Sequence, residues 1–395
     1  MEPMEKRICP ICSNKENEIL FHQSFSDFSD ITLLASYDVV ACDNCGFCYA
    51  DKIPPQKIFD VYYRELSKYE SNSDELYESP YDKNRFSVFV KYLKPFLDNQ
   101  RLHIAEVGCA TGFLLSMIKK EGYSNLTGID PSPGCTAAAS KHYGINVLTN
   151  TISNIELADN SVDVLILVGV LEHIRDLDDS LQKLWRILKP GGQFFIVVPD
   201  GSQYFNGQDA PFQEFSVEHI NFFGPGSLEN LMKKNKFSKV NIAQDMIEVN
   251  YKTLTPVILS IFKKETSADT TFIPDPDSKK NLATYIELSK KKDEDINAII
   301  ENVSAENNSI IVWGTGAQTL RLLVNSSLKN ASIAAFVDSN PKYQGKQLNG
   351  IPVISPESLK ARTEPILIST RAYQNEIEIQ IREKLGLNNK VIKLY

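Results

Sequence analysis

A buried strand that runs straight into a glycine-rich turn and then an apolar helix occurs twice in this chain. The first copy is Leu102-His-Ile-Ala-Glu106-Val107, then Gly108-Cys109-Ala-Thr-Gly112, then a helix from Phe113 to Lys120. The second is Ser309-Ile-Ile-Val-Trp313, followed by Gly314-Thr315-Gly316-Ala317. Each leads to a further strand closed by an acid, Leu126 to Asp130 in one case and Ala334 to Asp338 in the other. Such a turn forms a ligand loop at the carboxyl edge of a parallel sheet. The expected fold class is therefore α/β, with two doubly wound units in one chain. At roughly 150 residues per domain, a chain of 395 residues holds both and leaves room for a smaller module.

That module is marked by Cys9-Pro-Ile-Cys12 and Cys42-Asp-Asn-Cys45, with 29 residues between the pairs. Two C-x-x-C turns bring four thiolates together in the tetrahedral set that holds structural Zn2+. The stretches Glu18 to His22 and Thr32 to Ala41 have the strand content of a zinc ribbon. All four positions are filled by thiolates, so the metal is expected to be structural. Cys48 and His22 read as ordinary strand residues. A module this small has too little core to fold alone, and the metal is expected to supply much of its stability.

Composition excludes several classes. The apolar fraction of 42% and charged fraction of 23% are those of a folded chain. A net charge of −8 without a basic stripe argues against a nucleic-acid partner. No run of 18 apolar residues is present, so no membrane span is expected, and the first residues lack an apolar signal core. The expected location is cytoplasmic.

The first doubly wound unit continues with a strand from Val162 to Val168, then Val170-Leu171-Glu172-His173-Ile-Arg-Asp176. A helix from Asp179 to Leu188 ends at Lys189-Pro190-Gly191-Gly192, and a strand follows from Gln193 to Pro199. The ordered motifs E-V-G-x-x-x-G, G-I-D-P-S, V-L-E-H-x-x-D and L-K-P-G-G resemble class I S-adenosylmethionine (SAM) methyltransferases. The resemblance implies SAM as cofactor. Gly108, Cys109 and Gly112 would border the methionine moiety, with Glu106 near its amino-acid head. Asp130, followed by Pro131, would accept the ribose hydroxyls, and Glu172 and His173 would lie beneath the methyl donor.

After Pro199 comes a polar-aromatic segment with Tyr204 and then Phe215-Ser216-Val-Glu218-His219-Ile-Asn221-Phe-Phe-Gly224, expected to form an acceptor lid. Glu218-His219 is the best acid/base pair in the chain, since an imidazole can take up a proton near neutral pH. With the four-cysteine module, this segment resembles the NDP-sugar C-methyltransferases that alkylate 4-keto-6-deoxy sugars. In that group a Tyr-x-Glu-His motif enolises the sugar; here Ser216 stands in place of the Tyr. Tyr69 or Tyr204 would then have to supply a phenol, whereas transfer to a hydroxyl or amine needs only one base, such as His219.

The C-terminal unit resembles the last domain of the same methyltransferases and the nucleotide-sugar-binding domains of bacterial acyltransferases. It shares their Asp338-Ser-Asn-Pro341 to Gly350-Ile-Pro-Val353 pattern. Gly314 and Gly316 would hold a diphosphate at a helix start, with Asp338 and Arg371 at neighbouring strand ends. Tyr204 and Asn221 complete the expected substrate contacts.

The domains expected are a zinc module over 1–55, a methyltransferase domain over 56–250 with a helical lid at 56–100, a helical linker over 251–308, and a Rossmann-like substrate domain over 309–395. The favoured activity is SAM-dependent methyl transfer to a nucleotide-activated sugar or related glycan precursor. The alternatives are O- or N-methylation of another small molecule, or an NAD-dependent oxidoreductase using the second glycine turn. That turn has Thr319 where the third glycine of a dinucleotide fingerprint belongs. An adaptor role for the cysteine module would call for a basic face, which residues 1–60 do not offer.

Overall fold

The computed structural model describes residues 6–28, 33–65, 78–207, 210–250, 252–269 and 271–395. The chain divides into two compact units. One comprises Met1–Leu20, Val39–Gly207 and His219–Leu282, the other Phe21–Asp38, Gln208–Glu218 and Ala283–Tyr395.

The chain opens with β1 (Asn17–Ser24), β2 (Ser36–Cys42) and β3 (Cys48–Asp51), then α1 (Gln56–Glu65) and α2 (Pro80–Leu93). A βα series follows: β4 (Ile104–Val107), α3 (Phe113–Lys120), β5 (Leu126–Asp130), α4 (Pro133–Tyr143), β6 (Asn146–Thr149), β7 (Val162–Val168), α5 (Leu177–Ile187) and β8 (Leu188–Pro199). The first unit ends with β9 (Asn221–Phe222), α6 (Pro225–Lys234), β10 (Phe237–Asn250) and β11 (Thr253–Lys264). The central sheet has the order β10-β11-β8-β7-β4-β5-β6, and β9 closes the small sheet β1-β2-β3-β9. Strands β4 to β8 pair in parallel, whereas β11 runs antiparallel between β8 and β10.

β4, β7 and β8 read as nearly unbroken apolar runs because both sheet faces are covered. On one face Ile104, Ile166 and Phe195 pack with Phe89 and Leu93 of α2 and Leu114, Leu115 and Ile118 of α3. On the other, Ala105, Leu165 and Phe194 pack with Leu181 and Leu184 of α5 and Leu228 and Leu231 of α6. Each such Leu or Phe contributes about 1.5–3 kcal/mol by leaving water. The second core also takes in Cys9, Ile11, Val40, Phe47 and Tyr49, so the cysteine region folds onto this unit rather than standing apart.

Two readings of the chain are corrected by this packing. α2 is not a lid over residues 80–93: Phe89 and Leu93 are buried on the sheet. Residues 251–308 are not a linker throughout, because β11 enters the central sheet along its whole register with β10. The charged helix expected there is α7 (Pro276–Glu306).

The second unit carries β12 (Ile310–Trp313), α8 (Ala317–Asn325), β13 (Ile333–Val337), β14 (Gln347–Leu348), β15 (Ile351–Ile354), β16 (Ile366–Ile368), α9 (Gln374–Ile379) and β17 (Val391–Lys393). Its sheet order is β14-β15-β13-β12-β16-β17, parallel except for β14. The segment expected to roof an acceptor is partly core here. Phe212 stacks on Phe21 at 4.4 Å between ring centroids, and Phe215 meets Tyr285 edge-on at 5.2 Å. Their apolar area is satisfied inside the second unit, which leaves them unsuited to a mobile cover.

Candidate functional site

The carboxyl edge of the central sheet is built by sharp turns after β4, β5, β7 and β8. Gly108 (φ +74°) and Gly112 (φ +78°) are left-handed, the conformation only glycine adopts freely. A Cβ on Gly108 would stand 2.6 Å from Val170 Cγ2, and one on Gly112 3.0 Å from Ala139 Cβ. The glycines are thus required by backbone conformation and by packing against the neighbouring loop and α4. Cys109 is buried beside Gly128, where a Cβ would come within 2.6 Å of its Sγ.

Glu106 is only 3% exposed, and its Oε2 has no hydrogen-bond partner among the described residues. Burial pushes its carboxyl well above the ordinary range, and the Asp130 carboxylate adds to the rise. Asp130 ends β5 on the adjacent strand. Its Oδ2 accepts the Ala110 N–H at 2.8 Å and its Oδ1 the Ser132 N–H at 2.9 Å. Pro131 lies in this turn. Ser132 in turn caps α4 by accepting the Cys135 N–H at 3.1 Å, with Pro133 in the first turn and Gly144 closing the helix. Caps of this kind stabilise by about 1 kcal/mol, and here they fix the Asp130 turn. A buried carboxylate oxygen without a partner, next to a second acid, suits a ligand carrying an ammonium and a diol.

Beyond β7, Glu172 and His173 lie in the 3-10 turn Leu171–His173. His219 lies just before β9, and its ring meets that of His173 edge-on at 4.9 Å between centroids. One ligating atom from each of Glu172, His173 and His219 lies within 4.8 Å of the other two. His173 Nδ1 is 2.9 Å from the Tyr63 hydroxyl, and its Nε2 is 3.8 Å from Glu172 Oε1. The cluster with His219 thus takes in the carboxylate of Glu172, from another loop. Glu218 N–H donates to Ser216 Oγ at 3.2 Å.

The other expected residues are distributed as follows. Tyr204 is buried in the 3-10 turn Gly201–Asn206, and Tyr69 lies outside the described residues. Asn221 was expected to touch substrate, but it is 1% exposed and fully engaged. Its amide donates to the carbonyls of Leu171 and Ile174, and its Oδ1 accepts from Arg7. It is a brace.

Cys9, Cys12, Cys42 and Cys45 place one sulfur each within 4.8 Å of the rest. Two of the pairs, Cys9–Cys45 and Cys12–Cys42, are 3.6 and 3.4 Å apart. A tetrahedron with Zn–S near 2.3 Å has S···S edges of about 3.8 Å, so the four thiols fit that ion. The Cys9 thiol is held down to about 5, first by its hydrogen bond with Cys45, against the opposing effect of burial. Cys48 lies outside the cluster, buried in β3.

In the second unit Asp338 Oδ2 accepts from the Thr315 N–H at 3.0 Å and the Thr315 hydroxyl at 2.6 Å, while Oδ1 accepts the Asn340 N–H. Gly314 is left-handed (φ +114°). A Cβ on Gly316 would meet nothing within 4 Å, and Gly316 caps α8 with no side chain bonded there. Arg371 follows β16 in the loop before α9.

Comparison with known proteins bears on the first of these sites. Residues 81–242 match the family described as a methyltransferase domain. This stretch is a methyltransferase domain. It is 26% identical over 119 residues to a protein of Mycolicibacterium smegmatis named "Probable S-adenosylmethionine-dependent methyltransferase", covering 30% of this chain and 46% of that one. It is also 28% identical over 162 residues to the human mitochondrial ubiquinone biosynthesis O-methyltransferase, covering 37% and 43% respectively. The chain thus spans less than half the length of each of these relatives. Among solved structures, the Burkholderia thailandensis 1,6-didemethyltoxoflavin-N1-methyltransferase with bound S-adenosylhomocysteine is 15% identical, with a TM-score of 0.42, covering 56% of this chain and 96% of that one. Residues 306–392 match a second family, described as C2185-like, N-terminal.

Two residues that meet the methyltransferase domain's site have no motif of their own. Tyr63 stands in a tyrosine-rich stretch, a signal that marks the segment but not the residue. Arg7 carries no sequence signal at all.

Proposed function

We propose that this chain transfers a methyl group from SAM to a nucleotide-activated sugar or related glycan precursor, with His219 as general base. The observation that carries the reading is the Glu172–His173–His219 cluster on the same sheet edge as Glu106 and Asp130. Bound SAM supplies an electrophilic methyl on a sulfonium, which leaves as a neutral thioether. Glu106 would hold the ammonium of the amino-acid head and Asp130 the ribose diol. His219 would take the proton that the acceptor gives up as it attacks, and Glu172 would favour the resulting imidazolium. Tyr63, whose hydroxyl is 2.9 Å from His173 Nδ1, would bring a phenol to the cluster where position 216 carries a serine. Alignment of acceptor and sulfonium would supply most of the acceleration.

A diphosphate is assigned to the turn Gly314-Thr315-Gly316 of the second unit, because a helix start without a side-chain cap leaves its N–H groups to an anion. A structural Zn2+ is assigned to Cys9, Cys12, Cys42 and Cys45, whose sulfurs are spaced for it. Thr319 in place of the third fingerprint glycine weighs against a dinucleotide there.

Incubation with SAM and a panel of NDP-4-keto and NDP-amino sugars, read by mass spectrometry, is expected to yield a product heavier by one methylene. Deuterium exchange at carbon 3 without SAM selects carbon methylation; methylated product without exchange selects oxygen or nitrogen. No methylated sugar across the panel would overturn the acceptor class.

Glu106 gives a separate check on the cofactor. In the ligand-free protein its raised carboxyl keeps a proton to higher pH than a solvated glutamate does. An ammonium seated on it favours the ionised form. S-adenosylhomocysteine, which has the same amino-acid head, is therefore expected to release up to one proton on binding, at pH values between the ordinary carboxylate range and the raised one. Calorimetry in buffers of differing ionisation enthalpy measures this, and Glu106→Gln should abolish it. Equal proton release from both proteins would remove Glu106 from the ligand's head group.

A further inference from the structure

Arg7 is 5% exposed, and its guanidinium is held by main-chain carbonyls and one amide. Nη1 donates to the carbonyls of Ile220 (3.2 Å) and Ala50 (3.4 Å). Nη2 donates to the carbonyl of Arg175 (2.8 Å) and to Asn221 Oδ1 (2.9 Å). Ile220 directly follows His219, and Arg175 lies two residues beyond His173. The same two segments are joined again by Asn221, whose amide donates to Leu171 O (2.8 Å) and Ile174 O (2.7 Å), and by the Ile220 N–H to Glu172 O at 2.8 Å. On its other side Arg7 is fixed by its own backbone. Its N–H donates to Asp51 Oδ1 (2.5 Å), and Tyr49 Oη donates to its carbonyl (3.3 Å). Asp51 and Tyr49 belong to β3, which begins three residues after Cys45 and pairs with β9 through Cys48↔Phe222 and Tyr49↔Asn221. Cys9 follows Arg7 by two residues.

We propose that Arg7 is a positioning residue: its two-armed fork locks the segment carrying His219 to the turn carrying Glu172 and His173, and ties both to the four-cysteine cluster. A buried cation is costly unless its donors are satisfied, and here they are satisfied by the two backbone segments whose separation sets the histidine pair. Only a planar fork reaches both at once; a lysine ammonium is a single point. The consequence for catalysis rests on the reading of His219 as base, but the placement of the rings does not.

The test uses full-length protein loaded with zinc and labelled with 13C and 15N at histidine. The chain has five histidines, so single replacements assign the imidazole signals. Arg7→Met fills the volume without donors and is expected to displace and broaden the His173 and His219 signals, leaving those of His22, His103 and His142 in place. Zinc content stays at one per chain, and the affinity for S-adenosylhomocysteine stays within about twofold. Arg7→Lys should shift the same two signals by less, and should lower kcat on the acceptor found in the sugar panel by less than Arg7→Met does. A chelator that removes the metal from the unaltered protein should move these two sets as well, and their failure to move would cut the link to the cysteine cluster. Unchanged His173 and His219 signals in Arg7→Met overturn the proposal; if that variant does not fold, unchanged signals in Arg7→Lys do so. Should the signals move while His219→Gln retains full activity, the brace stands and the general-base reading falls.

Discussion

His219→Gln is expected to lower kcat by about 10²- to 10⁴-fold, the usual contribution of a positioned general base, or about 2.7–5.5 kcal/mol of barrier. Affinity for S-adenosylhomocysteine should hardly change, because Glu106 and Asp130 sit on β4 and β5 while His219 sits before β9. Glutamine keeps a polar side chain of similar reach but cannot take a proton, so the loss reports proton transfer rather than a hole. The environment supports the role: the ring lies against His173, and the buried Glu172 contributes an oxygen within 4.8 Å. An acid there would stabilise the imidazolium that forms if His219 takes the acceptor's proton. His173 is less suited to be the base, since its Nδ1 is engaged by Tyr63 and its Nε2 faces Glu172. The measurement is the steady-state rate of methyl transfer to the acceptor found in the panel. A variant as fast as the parent would assign the proton to solvent or to another group.

Much of this arrangement was legible in the chain because it is local. Glu106-Val-Gly and Gly-Ile-Asp130 are strand-to-turn junctions, and a parallel sheet puts every such junction on one edge. The four cysteines are legible for a similar reason, since each C-x-x-C fixes its own turn. What sequence reasoning missed lies in contacts between distant segments. The acid that clusters with the His219 ring, Glu172, lies 47 residues earlier and is brought there by the Ile220–Glu172 backbone bond. Asn221 looked like a substrate contact because it is polar beside a histidine, whereas three buried hydrogen bonds make it structural.

β11 was missed for a different reason. Thr253-Leu-Thr-Pro256 contains a proline, which argues against a central strand. In the structure Pro256 lies just before Val257, the first residue in register with β8, and its carbonyl accepts the Asp200 N–H at 2.9 Å, so the missing proline donor falls at the end of that ladder. The remaining run to Phe262 is apolar but for Ser260, whose hydroxyl donates to the Ile196 carbonyl, because β11 lies inside the sheet rather than at its edge. Residues 210–218 show how composition misleads: an aromatic stretch close in sequence to His219 suggests a cover, yet Phe212 and Phe215 are buried with Phe21 and Tyr285.

The second large effect expected is from Cys42→Ser. Cys42 closes β2, its sulfur is 3.4 Å from Cys12, and its N–H donates to the Phe47 carbonyl at 2.9 Å, so it joins both knuckles. A hydroxyl in its place leaves three thiolates, and the proposed Zn2+ loses a quarter of its coordination. Structural zinc sites in small modules contribute on the order of 10 kcal/mol or more to folding. Here part of the module's stability comes instead from burial, since Cys9, Ile11, Phe47 and Tyr49 sit in the core shared with α5 and α6. The expected outcome is loss of most bound zinc and a melting temperature lower by on the order of 10 °C, at about 2–4 °C per kcal/mol for a unit of this size. Metal analysis and calorimetry together decide it. Cys48→Ser is the control, because Cys48 is equally buried but lies in β3 outside the cluster. It should lose packing stability while retaining one zinc per chain. If both serine variants kept their metal, or both lost it, the four-sulfur assignment would fail, because only that assignment separates two buried cysteines six residues apart.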